Sequence, residues 1–434
     1  MFFANPSARR QDYDAGLKSI LSIEGGAQSR RWLSTWSQLL TGSTPVRHLP
    51  RLATQLALAQ ISIKDESVRS PLGSFKALGA PIALLRLILR HWPHEDFQPA
   101  DLLAGRHCAA LKDFVVISAT DGNHGRALAA AAQSIGCRCV IVLHAKVSAE
   151  REQPIRELGA QIVRIQGNYD DSVLEAARLA QTNGWWVVSD TSYEGYEQIP
   201  RDVMQGYSII VDELLQQLPA HECPFTHVVL QGGVGGLAAG IVSHFWERYG
   251  ASRPIFLVVE PEQADCLLQS ARHGHVSMAT GTTDSVMAGL ACGKPSALAW
   301  RFLQPTVDFF LTVSDAQAEQ AMRTLAAATA GDIPVLSGES GAAGLAGLMV
   351  VMDDPLLAAQ TGLDIRSRVL LINSEGATAP GVYEALTGHT VYKVLESQRA
   401  WLERDGAAPW VNRLATAALC ASIARAKPAP DGAR

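Results

Sequence analysis

Short apolar runs alternate with amphipathic stretches through the middle of the chain. Residues 114–119 (FVVISA), 139–143 (CVIVL), 161–165 (QIVRI) and 185–189 (WWVVS) have the length and β-branched content of buried strands. Between them, residues 125–133, 149–158 and 170–181 carry helical spacing. The alternation predicts βαβ units, a parallel sheet and right-handed crossovers. A second set of strands flanks the first, at 61–64 ahead of a helix over 74–89, then at 227–230 (HVVL), 255–259 (IFLVV) and 369–372 (VLLI). The expected fold class is α/β, with two domains that each hold a mostly parallel twisted sheet flanked by helices. The large domain is expected to comprise residues 1–90 and 206–434, and a small α/β domain to be inserted at 91–205. Residues 91–113 read as a crossover, and the tail 424–434, rich in Pro, Ala and charge, as disordered.

Composition narrows the class. The 434 residues are 47% hydrophobic and 18% charged, too apolar and too weakly charged for a disordered chain. Lys and Arg number 37 against 42 Asp and Glu, a net charge of −5 with no strongly basic domain, so nucleic acid is not an expected partner. The apolar runs fall far short of the ~20 residues of a membrane span, and the N-terminal MFFANPSARRQDYD lacks the basic start and apolar core of a secretory signal. A cytoplasmic location without a membrane partner is expected. The seven cysteines are scattered. Cys137 and Cys139 form a C-x-C that no second pair completes, so reduced buried thiols and no metal are expected.

Three segments carry chemistry. Gln231-Gly232-Gly233-Val234-Gly235-Gly236-Leu237 follows a strand and opens a helix. Its glycines let backbone N–H groups approach an anion, and the helix start adds about half a positive charge. The spacing fits neither a dinucleotide fingerprint nor a P-loop, and the bland alternative is a tight strand-to-helix turn. Lys76, in Ser70-Pro71-Leu72-Gly73-Ser74-Phe75-Lys76-Ala77-Leu78-Gly79, is placed just inside a helix start. A buried lysine there suits covalent capture of a carbonyl, whereas a lysine on a surface turn has no such role. Ser118-Ala119-Thr120-Asp121-Gly122-Asn123-His124-Gly125 again runs from strand to helix and offers N–H groups and a hydroxyl to an anion such as a carboxylate. Capping by Thr120 or Asp121 is the competing reading.

Together these segments resemble the fold type II, tryptophan-synthase β-like family of pyridoxal-phosphate enzymes. The resemblance spans about residues 36–386 and includes Thr44-Pro45-Val46 and Ile63-Lys64-Asp65-Glu66-Ser67, with Lys76 ten residues after Glu66. It implies pyridoxal 5'-phosphate as cofactor, with Lys76 at the Schiff-base position. It implies Asn123 near the cofactor's 3-oxygen, residues Gly232, Gly233, Val234, Gly235 and Gly236 around the phosphate, and Ser374 at the pyridine nitrogen. Within the family, Asp121, the segment Ser189-Asp190-Thr191-Ser192-Tyr193-Glu194-Gly195-Tyr196 and the segment Val286-Met287-Ala288-Gly289-Leu290-Ala291-Cys292-Gly293 are similar to the diaminopropionate ammonia-lyase branch. That implies elimination from 2,3-diaminopropionate, as the D- or the L-isomer or both, to pyruvate and two ammonia, by a homodimer. The chemistry fits on its own terms, since a cationic second amine calls for extra carboxylates. Asp121 and Asp190 each follow a parallel strand, where both can face one crevice. Thr120 and neighbouring N–H groups would hold the substrate carboxylate, and Asp190 would orient the β-amine. Lys76 would serve the L-isomer and Asp121, on the other cofactor face, the D-isomer. A threonine- or serine-type dehydratase is the nearest rival, and a ligand-binding pseudo-enzyme is the alternative from another class. The sequence departs from the family at 375–379 (EGATA), where an aspartate is expected after the glycine, and 388–434 matches no family segment.

Overall fold

The computed structural model describes residues 1–120, 122–218 and 222–405. Eleven strands are described: β1 (Phe2–Ala4), β2 (Val46–His48), β3 (Gln60–Asp65), β4 (Val115–Ala119), β5 (Arg138–Leu143), β6 (Gln161–Arg164), β7 (Trp186–Val187), β8 (His227–Gln231), β9 (Ile255–Pro261), β10 (Phe309–Val313) and β11 (Arg368–Asn373). They form a seven-stranded sheet in the order β1-β10-β9-β8-β11-β3-β2 and a four-stranded sheet in the order β6-β5-β4-β7. The five inner strands of the large sheet are mutually parallel, and β1 and β2 join its edges antiparallel. The small sheet is parallel throughout.

Side-chain alternation along these strands divides the interior. Val228, Leu230, Phe256, Val258, Leu370 and Ile372 face a core that also takes Val116, Ile141 and Leu143 from the small sheet. Val229, Leu257, Val259, Val369 and Leu371 face a second core under the helices Asp315–Ala327 and Ala343–Asp353. Val115, Ile117, Val140 and Val142 face a third, under the helix Tyr169–Asn183. One apolar interior therefore joins the two sheets, as expected for parallel sheets covered on both faces.

The helix Gly79–His91 bridges the sheets, packing against the helices Asn123–Ile135 and Gln198–Tyr207. Glycine permits the second contact, because a Cβ on Gly206 would lie 2.2 Å from the Leu78 carbonyl oxygen.

Several boundaries differ from the sequence expectation. The helix expected over 74–89 begins later: Ser74 is extended, Phe75–Leu78 is a 3-10 turn, and the α-helix runs Gly79–His91. The cause is tertiary, since Phe75 N–H donates to the Ser374 carbonyl (3.0 Å) and Ser74 bridges to Glu375. Lys76 therefore sits on the turn before the helix. The strand expected over 185–189 shrinks to the two residues of β7, and 91–113 contains the short helices Pro99–Leu103 and Cys108–Leu111. Asp121 and the tail 424–434 lie outside the described residues.

A buried charge cluster anchors the segment leading to Lys76. Lys64 Nζ donates to the Thr44 carbonyl (2.8 Å) and to Glu213 (3.3 Å), while Arg69 pairs with Glu66 (2.8 Å) and Glu213 (2.7 Å). Two cations and two carboxylates balance, and their hydrogen bonds offset the desolvation of four charges.

Candidate active site

The C-terminal ends of β4, β7, β8 and β11 open onto one cleft between the sheets. This is where an open parallel sheet offers backbone donors and loops to a ligand. Lys76, Thr120, Asn123, Asp190, Gly232, Gly233, Val234, Gly236 and Ser374 all line it. Gly235 shapes the loop from behind; it has φ +92°, and a Cβ there would lie 2.9 Å from Leu303 Cδ1. Asp121, placed by sequence in this site, falls outside the described residues.

The glycine loop runs from β8 into the helix Gly236–Tyr249. Gly232 N–H donates to the Val259 carbonyl (2.8 Å) and Gly235 N–H to the Gly232 carbonyl (3.3 Å). The N–H groups of Val234, Gly236 and Leu237 have no acceptor among the described residues, so they stand free at a helix start, where the dipole favours an anion. A Cβ on Gly232 would lie 2.5 Å from Glu260 Cγ.

Glu260 underlies this loop and caps the helix Cys266–His273, accepting from Leu267 and Leu268 N–H at 2.8 Å each. Burial outweighs those bonds and pushes its carboxyl up to about 8. Between the ordinary carboxyl value and about 8 the folded state keeps a proton that the unfolded chain has released, so this group lowers stability as pH rises through that window and adds nothing further above it. Glu260→Gln cannot ionise. Relative to wild type it should gain on the order of a few kcal/mol between pH 5.5 and pH 8. Urea midpoints of both proteins at the two pH values check this.

Lys76 and Asp190 form an ion pair in the cleft, with side chains 17% and 11% exposed. The ammonium also lies over the rings of Phe75 (5.1 Å) and Tyr207 (5.7 Å). Burial disfavours both charges, but each outweighs that for the other. The Lys76 ammonium is held above the ordinary lysine range, and the Asp190 carboxyl, which also faces His124, well below the ordinary carboxylate range. His124 Nδ1 is 3.8 Å from Asp190 Oδ2.

Thr120 Oγ1 accepts from Gly122 N–H (3.1 Å) and Gly125 N–H (3.3 Å). It thus secures the start of the helix Asn123–Ile135, and its own hydroxyl proton remains available to a ligand. Asn123 Nδ2 donates to Glu375, the residue after Ser374. Ser374 lines the cleft, whereas Asn373 turns to Asp65 (2.9 Å) and the Leu336 carbonyl (2.9 Å). Beside the lining residues Ser340 and Arg151, burial and then the Glu375 carboxylate push Glu339 up to about 7, against the pull of Arg151 at 3.2 Å. Ser340, which lines the cleft, donates its N–H to Glu375 (3.1 Å) and accepts Gly289 N–H (3.1 Å).

His124, Arg151, Tyr169, Tyr207 and Glu375 also line the cleft and were not singled out from the sequence. His124 and Glu375 adjoin motif residues, and Tyr207 ends the helix that packs on Gly79. Arg151 and Tyr169 carry no local signal, since only the packing of the small sheet's helices brings them here.

Comparison with known proteins agrees with this geometry. A family model described as pyridoxal-phosphate dependent enzyme matches residues 38–375. The chain is 38% identical over 388 residues to the diaminopropionate ammonia-lyase of Salmonella typhimurium, covering 87% of this chain and 96% of that protein. It is similar to the crystal structure of Escherichia coli diaminopropionate ammonia-lyase in complex with an aminoacrylate-PLP azomethine reaction intermediate, with a TM-score of 0.80 at 32% identity, covering 89% of this chain and 96% of that one. Threonine deaminase isoform 2 from Solanum lycopersicum shares the fold, with a TM-score of 0.65 at 18% identity over 89% of this chain and 96% of that one.

Proposed function

The chain belongs to the pyridoxal-phosphate dependent enzymes and, within them, to the diaminopropionate ammonia-lyases, and from that membership and the chemistry of the cleft we infer that it converts 2,3-diaminopropionate and water to pyruvate and two ammonia. It is a fold type II carbon–nitrogen lyase that uses pyridoxal 5'-phosphate.

The residues present fit that cofactor. Free N–H groups at a helix start suit a phosphate, and a Cβ at Gly232 would collide with the wall behind the loop. Lys76 is the one lysine lining the cleft among the described residues, placed to hold the cofactor through its aldehyde. Asn123 would meet its ring oxygen and Ser374 its ring nitrogen. When bound, the cofactor supplies an electron sink for the charge that develops at the substrate's Cα.

Around it the chain's own groups divide the work. The Thr120 hydroxyl and neighbouring N–H groups bind the substrate carboxylate. Lys76 Nζ takes the Cα proton of the L-isomer, and Asp121 that of the D-isomer. Asp190 binds and orients the β-ammonium, which leaves as ammonia.

The Lys76–Asp190 pair carries this reading. Joined to the cofactor, or released as the neutral amine that acts on Cα, Lys76 no longer neutralises Asp190, and the substrate's β-ammonium takes over that role. A dehydratase substrate brings a β-hydroxyl, which needs no counter-anion. The same reading keeps residues 91–205 as an inserted small domain and the enzyme as a cytoplasmic homodimer. Among the described residues, no single helix is long and apolar enough to cross a membrane.

The test is pyruvate release by purified holoenzyme from D- and L-diaminopropionate, with serine and threonine as controls. Turnover of diaminopropionate well above both controls is expected; turnover of serine or threonine alone would contradict the reading.

A further inference from the structure

His124 stands in the cleft wall, 3% exposed, at the start of the helix Asn123–Ile135. Its Nε2 lies 2.8 Å from the Val188 carbonyl oxygen, a group that can only accept. That contact places the imidazole hydrogen on Nε2 and leaves Nδ1 with a lone pair. Nδ1 is buried, has no hydrogen-bond partner among the described residues, and lies 3.8 Å from Asp190 Oδ2. Two acceptors, an imidazole nitrogen and a carboxylate oxygen, therefore converge in the cleft. The donor beside them is the Lys76 ammonium, which already pairs with Asp190 Oδ2.

An arrangement of this kind is incomplete without a cation that carries several hydrogens. A buried acceptor left without a donor costs free energy, and two acceptors facing each other repel unless a donor stands between them. Lys76 partly supplies that donor while its amine is free. It no longer supplies a cation when the amine is joined to the cofactor or is the neutral base at Cα. A primary ammonium has three N–H donors, enough for the carboxylate and the imidazole together. Burial keeps the imidazole uncharged despite the nearby Asp190 carboxylate, so Nδ1 stays an acceptor at neutral pH and adds no repulsion toward a cation.

We propose that His124 Nδ1 and the Asp190 carboxylate together form the subsite for the substrate's β-ammonium, making His124 a specificity-determining residue of the reaction. This rests on the functional reading above. It also accounts for the position of His124 directly after Asn123, because one helix start then presents the amide for the cofactor and the acceptor for the leaving group. An uncharged hydroxyl in the same place would satisfy one acceptor and leave the Asp190 charge without a partner.

Two substitutions separate this role from support of the Val188 loop. His124→Gln places an amide nitrogen where Nε2 was, keeping the bond to Val188, and removes the Nδ1 acceptor. His124→Asn places an amide oxygen where Nδ1 was and gives up the Val188 bond. In His124→Gln, KM for diaminopropionate should rise roughly tenfold or more, the range for a hydrogen bond to a charged group. Competitive inhibition by alanine, which shares the α-amine and carboxylate but has no β-ammonium, should not weaken in step. His124→Asn should regain most of the affinity lost in His124→Gln. If KM rises in His124→Asn and not in His124→Gln, or if alanine inhibition weakens in parallel with KM, His124 only supports the loop and the proposal is overturned. A wild-type enzyme inert toward diaminopropionate would instead overturn the functional reading itself.

Discussion

Replacing Lys76 by alanine should lower pyruvate formation from diaminopropionate by at least about a thousandfold, within the range for losing a positioned proton-transfer group. On the proposed reading, the substitution removes the amine that holds the cofactor and the base that serves the L-isomer. It also leaves Asp190, 11% exposed, without its counter-ion. Lys76→Arg keeps that charge but not a nucleophilic amine. It should therefore restore thermal stability toward wild type without restoring turnover. Recovery of activity in Lys76→Arg would show that the charge, and not the amine, is what the reaction needs.

Asp190→Asn should produce the second-largest effect, a loss of about a hundredfold in kcat/KM for diaminopropionate, as expected when one partner of a buried charge pair is truncated. Its effect on the protein without cofactor is separable. The Lys76 ammonium would remain buried with its main counter-charge gone, which costs about 3–5 kcal/mol in comparable pairs. Burial, opposed at present by Asp190, would then pull the Lys76 amine down in pKa. The asparagine variant should consequently unfold at lower denaturant concentration before cofactor is added. The outcome that counts against the scheme is an unchanged kcat/KM, because the β-ammonium would then have its counter-anion elsewhere.

Much of the fold is written locally. The runs at β4, β5, β6, β8, β9 and β11 are short, apolar and bounded by turns, and each forms the strand expected of it. β1 and β2 are three-residue edge strands, too short to show a period. β10 (FFLTV) has the same character as the others but did not stand out in the sequence. The late start of the helix Gly79–His91 has no local signal, because it depends on Ser74 and Phe75 pairing with the loop after β11, some 300 residues away.

The site divides in the same way. Residues that act through the backbone, such as the glycine loop, declare themselves by composition. Lys76, Thr120, Asn123, Asp190 and Ser374 became candidates through their motifs, and the structure gathers them in one cleft. What sequence could not supply is pairing. Asp190 was expected to meet the substrate, and the fold also sets it against Lys76. The two acceptors of His124 and Asp190 become a unit only when β4 and β7 lie side by side. Thr120 turned out to serve two ends, since it caps a helix and still keeps a proton to give.

The claim on which the rest depends is that Lys76 is the residue joined to the cofactor in this cleft. Borohydride reduction of the holoenzyme, followed by proteolysis and peptide mass analysis, tests it most directly. The account predicts the mass of reduced pyridoxal phosphate on the peptide that carries Lys76, with loss of the visible-edge absorbance. A label on any other lysine, or reduction that leaves every lysine unmodified, would contradict it.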